Sequence, residues 1–203
     1  MGSPALRLTT YAEYLDIEAE GTEKLGFKAG VVFGMAGGSL AHAQLVLHVG
    51  ALLFNGLRGR PCVAYGSELK VRVDEVDAAY YADATVLCGP PVRARDDANA
   101  VTNPTLLVEV LSPSTEAFDR GEKFDDYALL PTLSEYLLVS TMRRVVEVWR
   151  RGVGGVWERH RAGAGEVVRL ASIDLSFAVD DLYLGVELDT PVRRVEGGRL
   201  KGD

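Results

Sequence analysis

The chain is short of the features that would place it quickly. Of its 203 residues only two are cysteine, Cys62 and Cys88, and three are histidine. Neither set has the close spacing of a zinc site. Nothing in the cysteine spacing demands a disulfide, so two reduced core thiols are the preferred reading. Long apolar runs are missing as well. The most apolar stretch, Leu45 to Phe54, is too short to cross a bilayer and contains His48. The opening MGSPALRLTT has no apolar core of a secretory signal. The expectation is a cytoplasmic protein with no membrane contact. Positive charge is the scarcer sign. Lys and Arg number 22 against 29 Asp and Glu, a net charge of −7. A global attraction to nucleic acid is thereby excluded, and any phosphate-binding face must be a local basic patch or a metal-loaded acidic site. No internal repeat or interdomain linker interrupts the chain. Its length fits one domain, expected over residues 1–189, with a mobile tail over 190–203.

What is present suits a sizeable core, with 47% hydrophobic and 25% charged residues. Thr10-Tyr11-Ala12-Glu13 has capping-box spacing and predicts a helix to about Ile17. Lys24 to Met35 reads as a hairpin turning at Ala29-Gly30, followed by the breaker Ala36-Gly37-Gly38-Ser39, whose Ser39 can cap a helix from about Leu40 to Leu57. His42, Leu45, Val46, Val49 and Leu53 share one face of that helix, and a helix so apolar is expected to be covered on more than one side. Strands follow at 62–65, 69–73 and 79–88. A polar surface loop is expected over 93–103, then a strand at 105–112. A single helix is expected over 117–130, weakened at Gly121. Strands at 135–139, 144–149, 156–159, 166–170 and 175–179 make the C-terminal part β-rich. The fold class is therefore mixed α/β (α+β).

Two carboxylates stand in apolar strands. Glu109 lies in Thr105-Leu106-Leu107-Val108-Glu109-Val110-Leu111-Ser112, and Asp83 lies in the run from Ala79 to Cys88. A buried carboxylate needs a cation or a retained proton. Asp119, Lys123 and Tyr127 fall at i, i+4 and i+8, so one helix face presents all three. If the two strands are neighbours, Asp83 and Glu109 converge, and a hard cation such as Mg²⁺ or Mn²⁺ suits such a pair of oxygens. The competing account is a structural ion pair of Glu109 with Lys123 or Lys70, with Asp83 in a hydrogen-bonded turn. Residue types alone do not choose between them. His42 could reach a phosphate or a water near the site, although a core histidine bonded to backbone is the commoner case. Arg143, Arg144, Arg150 and Arg151 read as a solvated strand end rather than a DNA contact, and Asp125 and Asp126 as solvent-facing.

Several stretches together resemble one family. They are Tyr80-Tyr81-Ala82-Asp83; Pro104-Thr105-Leu106-Leu107-Val108-Glu109-Val110-Leu111-Ser112-Pro113-Ser114-Thr115; Asp119-Arg120-Gly121-Glu122-Lys123-Phe124 with Tyr127; and Glu135-Tyr136-Leu137-Leu138-Val139. Met35 to Ser39, followed by His42, matches too. The resemblance, from about Leu8 to about Leu184, is to the Uma2 (DUF820) group within the PD-(D/E)xK nucleases. It implies a restriction-endonuclease-like core, a mixed sheet with flanking helices, and Mg²⁺- or Mn²⁺-dependent hydrolysis of DNA. Carried over, Asp83 and Glu109 are the metal ligands and Asp83, Glu109 and Lys123 the catalytic set. His42, Lys70 and Tyr127 are accessory candidates. The superfamily lysine normally stands two residues after the acid, where this chain has Leu111. Lys123 is its expected replacement and Lys70 the second choice. Ala82 replaces the family proline, and Gly26 stands where the family usually has a glutamate. That gap leaves a second reading, a nuclease fold without catalysis that serves as a nucleic-acid-binding or assembly module. A metal hydrolase of small substrates is a third. The sequence leaves homo-oligomerisation open.

Overall fold

The computed structural model describes residues 8–34 and 38–190. The breaker at 36–37 and the tail from 191 onward, read above as mobile, lie outside the described residues. Thr10 caps α1 (Tyr11–Glu20) through the expected capping box, its hydroxyl accepting from Glu13 N and the Glu13 carboxylate accepting from Thr10 N. The hairpin of β1 (Leu25–Lys28) and β2 (Val31–Gly34) turns at Ala29 and Gly30, both at positive φ (45° and 86°), as a two-residue hairpin turn requires. Ser39 caps α2 (Leu40–Gly56) by accepting from His42 N.

Next come β3 (Cys62–Gly66), β4 (Lys70–Val73), β5 (Ala78–Tyr81), β6 (Ala84–Cys88), β7 (Ala100–Val101) and β8 (Leu106–Leu111). Two expectations are corrected here. The run 79–88 is two strands, because the chain leaves one sheet and enters another at Ala82-Asp83. The loop 93–103 contains the short β7, which pairs in parallel with β4. The helix expected over 117–130 is α3 (Glu116–Arg120) and α4 (Glu122–Tyr127), broken where Gly121 adopts φ −113°, ψ −104°. Then follow β9 (Glu135–Ser140), β10 (Val145–Arg151), β11 (Trp157–Gly163), β12 (Val167–Leu170), β13 (Leu175–Ala178) and α5 (Val179–Leu182).

Among the described residues there are two main sheets and a small hairpin. One sheet has the order β2-β1-β5-β4-β7, the other β11-β10-β9-β8-β6-β3, and β12 pairs with β13. The larger sheet is mixed: β8 runs parallel to β9 and antiparallel to β6. β8 lies at its centre and is buried at all six residues, as its run of apolar residues requires. Its two faces serve two cores. Leu106, Val108 and Val110 pack with Leu45, Val49 and Leu53 of α2. Leu107 and Leu111 face Tyr80 of the smaller sheet and Phe124 and Tyr127 of α4. Glu109 shares the parity of Leu107 and Leu111, so the strand points it into this second core.

The thiol expectation is overturned. Cys62 and Cys88 lie directly opposite on β3 and β6, Cα atoms 4.0 Å apart, and are joined as a disulfide. Pairing across two strands far apart in sequence made this bridge, and cysteine spacing could not show it. The bridge closes a loop across 26 positions of sequence. Reduction is expected to lower stability by about 3 kcal/mol, read as a drop in urea midpoint with a steeper slope, because the reduced unfolded chain exposes more surface.

A cluster of three acids and a lysine

β6 begins at Ala84, opposite Val108 of β8. One step earlier the chain has turned away, and Val110 N–H would lack its ladder partner. The Asp83 carboxylate supplies it, Oδ2 accepting from Val110 N at 2.7 Å. The sheet crossing therefore fixes Asp83 beside Glu109, as strand adjacency predicted. From the other side, α3 and α4 bring Asp119 and Lys123. Lys123 Nζ stands 2.7 Å from Glu109 Oε1 and 3.6 Å from Asp119 Oδ1, and donates to the Tyr81 carbonyl at 3.1 Å. The i, i+4 relation of Asp119 and Lys123 survives the break at Gly121. His42, in the first turn of α2, approaches Asp83 Oδ2 with Nε2 at 3.5 Å. These groups line a cavity of about 290 Å³ together with Phe33, Gly34, Val110, Ser114, Thr115 and Phe118. A larger apolar hollow of about 550 Å³ shares the Phe33 and Phe118 walls, but its charged groups, Lys28 and Glu122, neutralise each other at 2.9 Å.

The charges do not balance. Asp83, Glu109 and Asp119 face one ammonium. Burial pushes the Glu109 carboxyl well above its ordinary value; Lys123 opposes this, while Asp119 and Asp83 reinforce it. Asp119 is raised for the same reason, again by burial first. Burial pulls Lys123 down, but Glu109 and Asp119 outweigh it and its pKa rises. His42 is raised by its contact with Asp83. All four shifts favour the more positive state: burial leads at the two acids, and neighbouring carboxylates raise Lys123 and His42. Glu109 Oε1 is buried with the Lys123 ammonium as its partner, and the buried Tyr127 hydroxyl has no hydrogen bond among the described residues.

The remaining candidates divide clearly. Lys70 is not part of the cluster. It is buried between Glu18 Oε2 and Asp97 Oδ2 (2.8 Å), where it ties α1 to the smaller sheet, so the Lys70–Glu109 pairing is corrected. Tyr127 lies under Lys123, its ring centroid 5.9 Å from Nζ. His42 faces the cavity rather than a backbone partner; it is His48 that bonds a carbonyl, that of Leu182 at 2.8 Å. Arg150 binds Glu135 at 2.8 Å, and Arg151 caps the Ala128 and Leu130 carbonyls, so both are structural. Asp126 is buried, holding Lys28 Nζ and the Tyr80 hydroxyl, which corrects its solvent-facing reading; Asp125 is exposed as expected. The group that sequence reasoning left out of the site is Asp119. Its spacing to Lys123 was the available signal.

The pattern of the Uma2 family, described as "Putative restriction endonuclease", matches residues 11–180. The chain belongs to the Uma2 family. Two relatives from Synechocystis sp. are "Uncharacterized protein slr1290", 38% identical over 174 residues (86% of this chain, 90% of the relative), and "Uncharacterized protein sll1609", 34% identical over 145 residues (71% and 82%). Among solved structures, a "putative nuclease belonging to DUF820" from Anabaena variabilis superposes with a TM-score of 0.70 at 17% identity, covering 85% of this chain and 96% of that one. The restriction-endonuclease-like fold is thus shared. The surroundings of Gly26 are closed to a side chain in this Uma2 chain. Gly26 pairs across the hairpin with Phe33, and a Cβ there would lie 2.4 Å from the Phe33 ring. The ring covers the place a side chain would need, and itself forms a wall of the acidic cavity.

Proposed function

We propose that the chain is a metal-dependent nuclease that hydrolyses DNA phosphodiester bonds at the Asp83–Glu109–Lys123 cluster. The observation that carries this reading is three carboxylates, Asp83, Glu109 and Asp119, brought with the single ammonium of Lys123 to one concave site. The donor set fits the implied ion. Mg²⁺ and Mn²⁺ take oxygen ligands, and Mg²⁺ commonly binds one or two carboxylates and keeps several waters. Among the described residues no three acid, His or Cys side chains are placed to hold an ion together, so the fit is to two carboxylates with waters completing the shell. Asp83 and Glu109 would hold the ion, with Asp119 lining the cavity beside Lys123. A bound Mg²⁺ supplies Lewis-acid polarisation of a phosphoryl oxygen and a more acidic water. Lys123 holds Glu109 in place and presents a fixed positive charge toward the site of developing negative charge. Asp83 holds His42 through Nε2, which keeps a protonatable imidazole at the cavity edge.

Isothermal titration with Mn²⁺ tests the site directly. Binding heat in the wild type that disappears in Asp83→Asn supports the reading. No heat in either protein sinks it and leaves the metal-free binding or assembly module, which the missing acid at position 26 favours.

A further inference from the structure

Helix α2 is apolar on two sides, and the fold covers one of them. Ala41, Leu45, Val49 and Leu53 are buried against the larger sheet. The opposite row is Leu40, Ala43, Leu47, Ala51 and Phe54, and it is exposed: Leu40 at 91%, Leu47 at 69% and Phe54 at 65%. The 17-residue helix contains no Asp, Glu, Lys or Arg, although a quarter of the chain is charged. A single exposed leucine needs no explanation, but a continuous stripe running roughly 20 Å along a helix does. The seven-residue interval from Leu40 to Leu47 to Phe54 is that of a helix–helix seam.

We propose that this face is a homodimer interface, with α2 packing antiparallel on the α2 of a second copy about a two-fold axis at Leu47. The row is a palindrome about that residue. Four positions to either side stand Ala43 and Ala51; seven positions to either side stand Leu40 and Phe54. In an antiparallel pair each Leu47 meets its own counterpart, each Leu40 meets Phe54, and each Ala43 meets Ala51. An isologous two-fold contact demands this self-complementarity. Small residues at Ala43, Gly50 and Ala51 let the backbones approach. Exposed Asn55 and Arg58 give the seam a polar rim. A stable interface needs roughly 800 Å² per partner, and the three large side chains supply on the order of half of it. Other occupants fit less well. The helix has no basic residue to hold it on an anionic membrane, and the chain is net negative. The segment 191–203 carries Arg193, Arg194, Arg199 and Lys201 against few apolar residues.

Light scattering after size exclusion, over a dilution series, is expected to give twice the chain mass for the full-length protein and one chain mass for Leu47→Glu. A partner-dependent fold could unfold in that variant, so crosslinking provides the second arm. Under mild oxidant Leu47→Cys should join two chains, whereas Leu40→Cys alone should not, because its neighbour is Phe54. A monomeric wild type at every concentration overturns the proposal. Efficient crosslinking of Leu40→Cys overturns the antiparallel register. Dimerisation only after deletion of residues 191–203 assigns the face to the tail, and co-sedimentation of a monomer with anionic vesicles assigns it to a membrane; either result overturns the homodimer.

Discussion

Lys123→Met is expected to destabilise the metal-free protein by about 3–5 kcal/mol near pH 8, because it leaves Glu109 buried without its cation. Lys123 is 2% exposed and Glu109 4%, so solvent screening offers little relief. The pH dependence carries the sign of the mechanism. Burial raises the Glu109 carboxyl well above its unfolded value, and Lys123 is the principal group lowering it. A raised carboxyl contributes stability that is complete below the unfolded pKa, about 4.3, and lost as pH rises through the folded pKa. Removing Lys123 lifts the folded pKa further and widens that window. The deficit of Lys123→Met against wild type should therefore grow with pH and shrink toward pH 5. Urea unfolding across that range measures it. Lys123→Met combined with Glu109→Leu should recover most of the loss, since both charges are then gone. A deficit independent of pH would mean that the lysine contributes packing alone.

The parts of the fold that the sequence shows well are those set by local rules. The capping box at Thr10, the turn at Ala29-Gly30 and α2 are each decided within a few residues, and the structure places them as expected. The parts it hides are decided by partners distant in sequence. Strands β5 and β6 read as one because Ala82-Asp83 has no breaker, yet the pairing of β5 with β4 and of β6 with β8 pulls the two halves into different sheets. The Cys62–Cys88 bridge depends on the β3–β6 register. For the site, Asp83, Glu109 and Lys123 were legible because a carboxylate in an apolar strand needs an explanation. Asp119 was hidden by its setting. On a polar-looking helix an acid at i to a lysine at i+4 is an ordinary surface pair, and only packing against β8 turns it into a buried third carboxylate. Asp126 misled for the same reason, since an Asp-Asp dipeptide on a helix splits between solvent and core.

Glu109→Gln is expected to reduce any Mg²⁺- or Mn²⁺-dependent DNA cleavage about a hundred- to thousandfold, on the scale of losing one preorganised electrostatic group at a reacting centre. The substitution keeps the volume and removes one negative charge, so α3, α4 and β8 should stay packed and Lys123 should still lie against Asp119. Asp83→Asn should be as severe by a different route. It keeps an oxygen able to accept from Val110 N, preserving the sheet crossing, but it weakens both the ion's ligand set and the hold on His42. Asp119→Asn should cost less, because Asp119 lines the cavity beside Lys123 without being one of the two carboxylates assigned to the ion. A graded series of this kind, measured by cleavage of supercoiled plasmid and of single strands, separates chemistry from folding. Wild-type protein that binds DNA but cuts none, with Glu109→Gln binding equally well, would instead mark a binding module. Phe33 lies over Gly26, so the cavity wall contributed by the first hairpin is aromatic rather than acidic. Gly26→Glu with Phe33→Ala would then be the variant expected to raise cleavage, since the smaller residue vacates the space the acid requires.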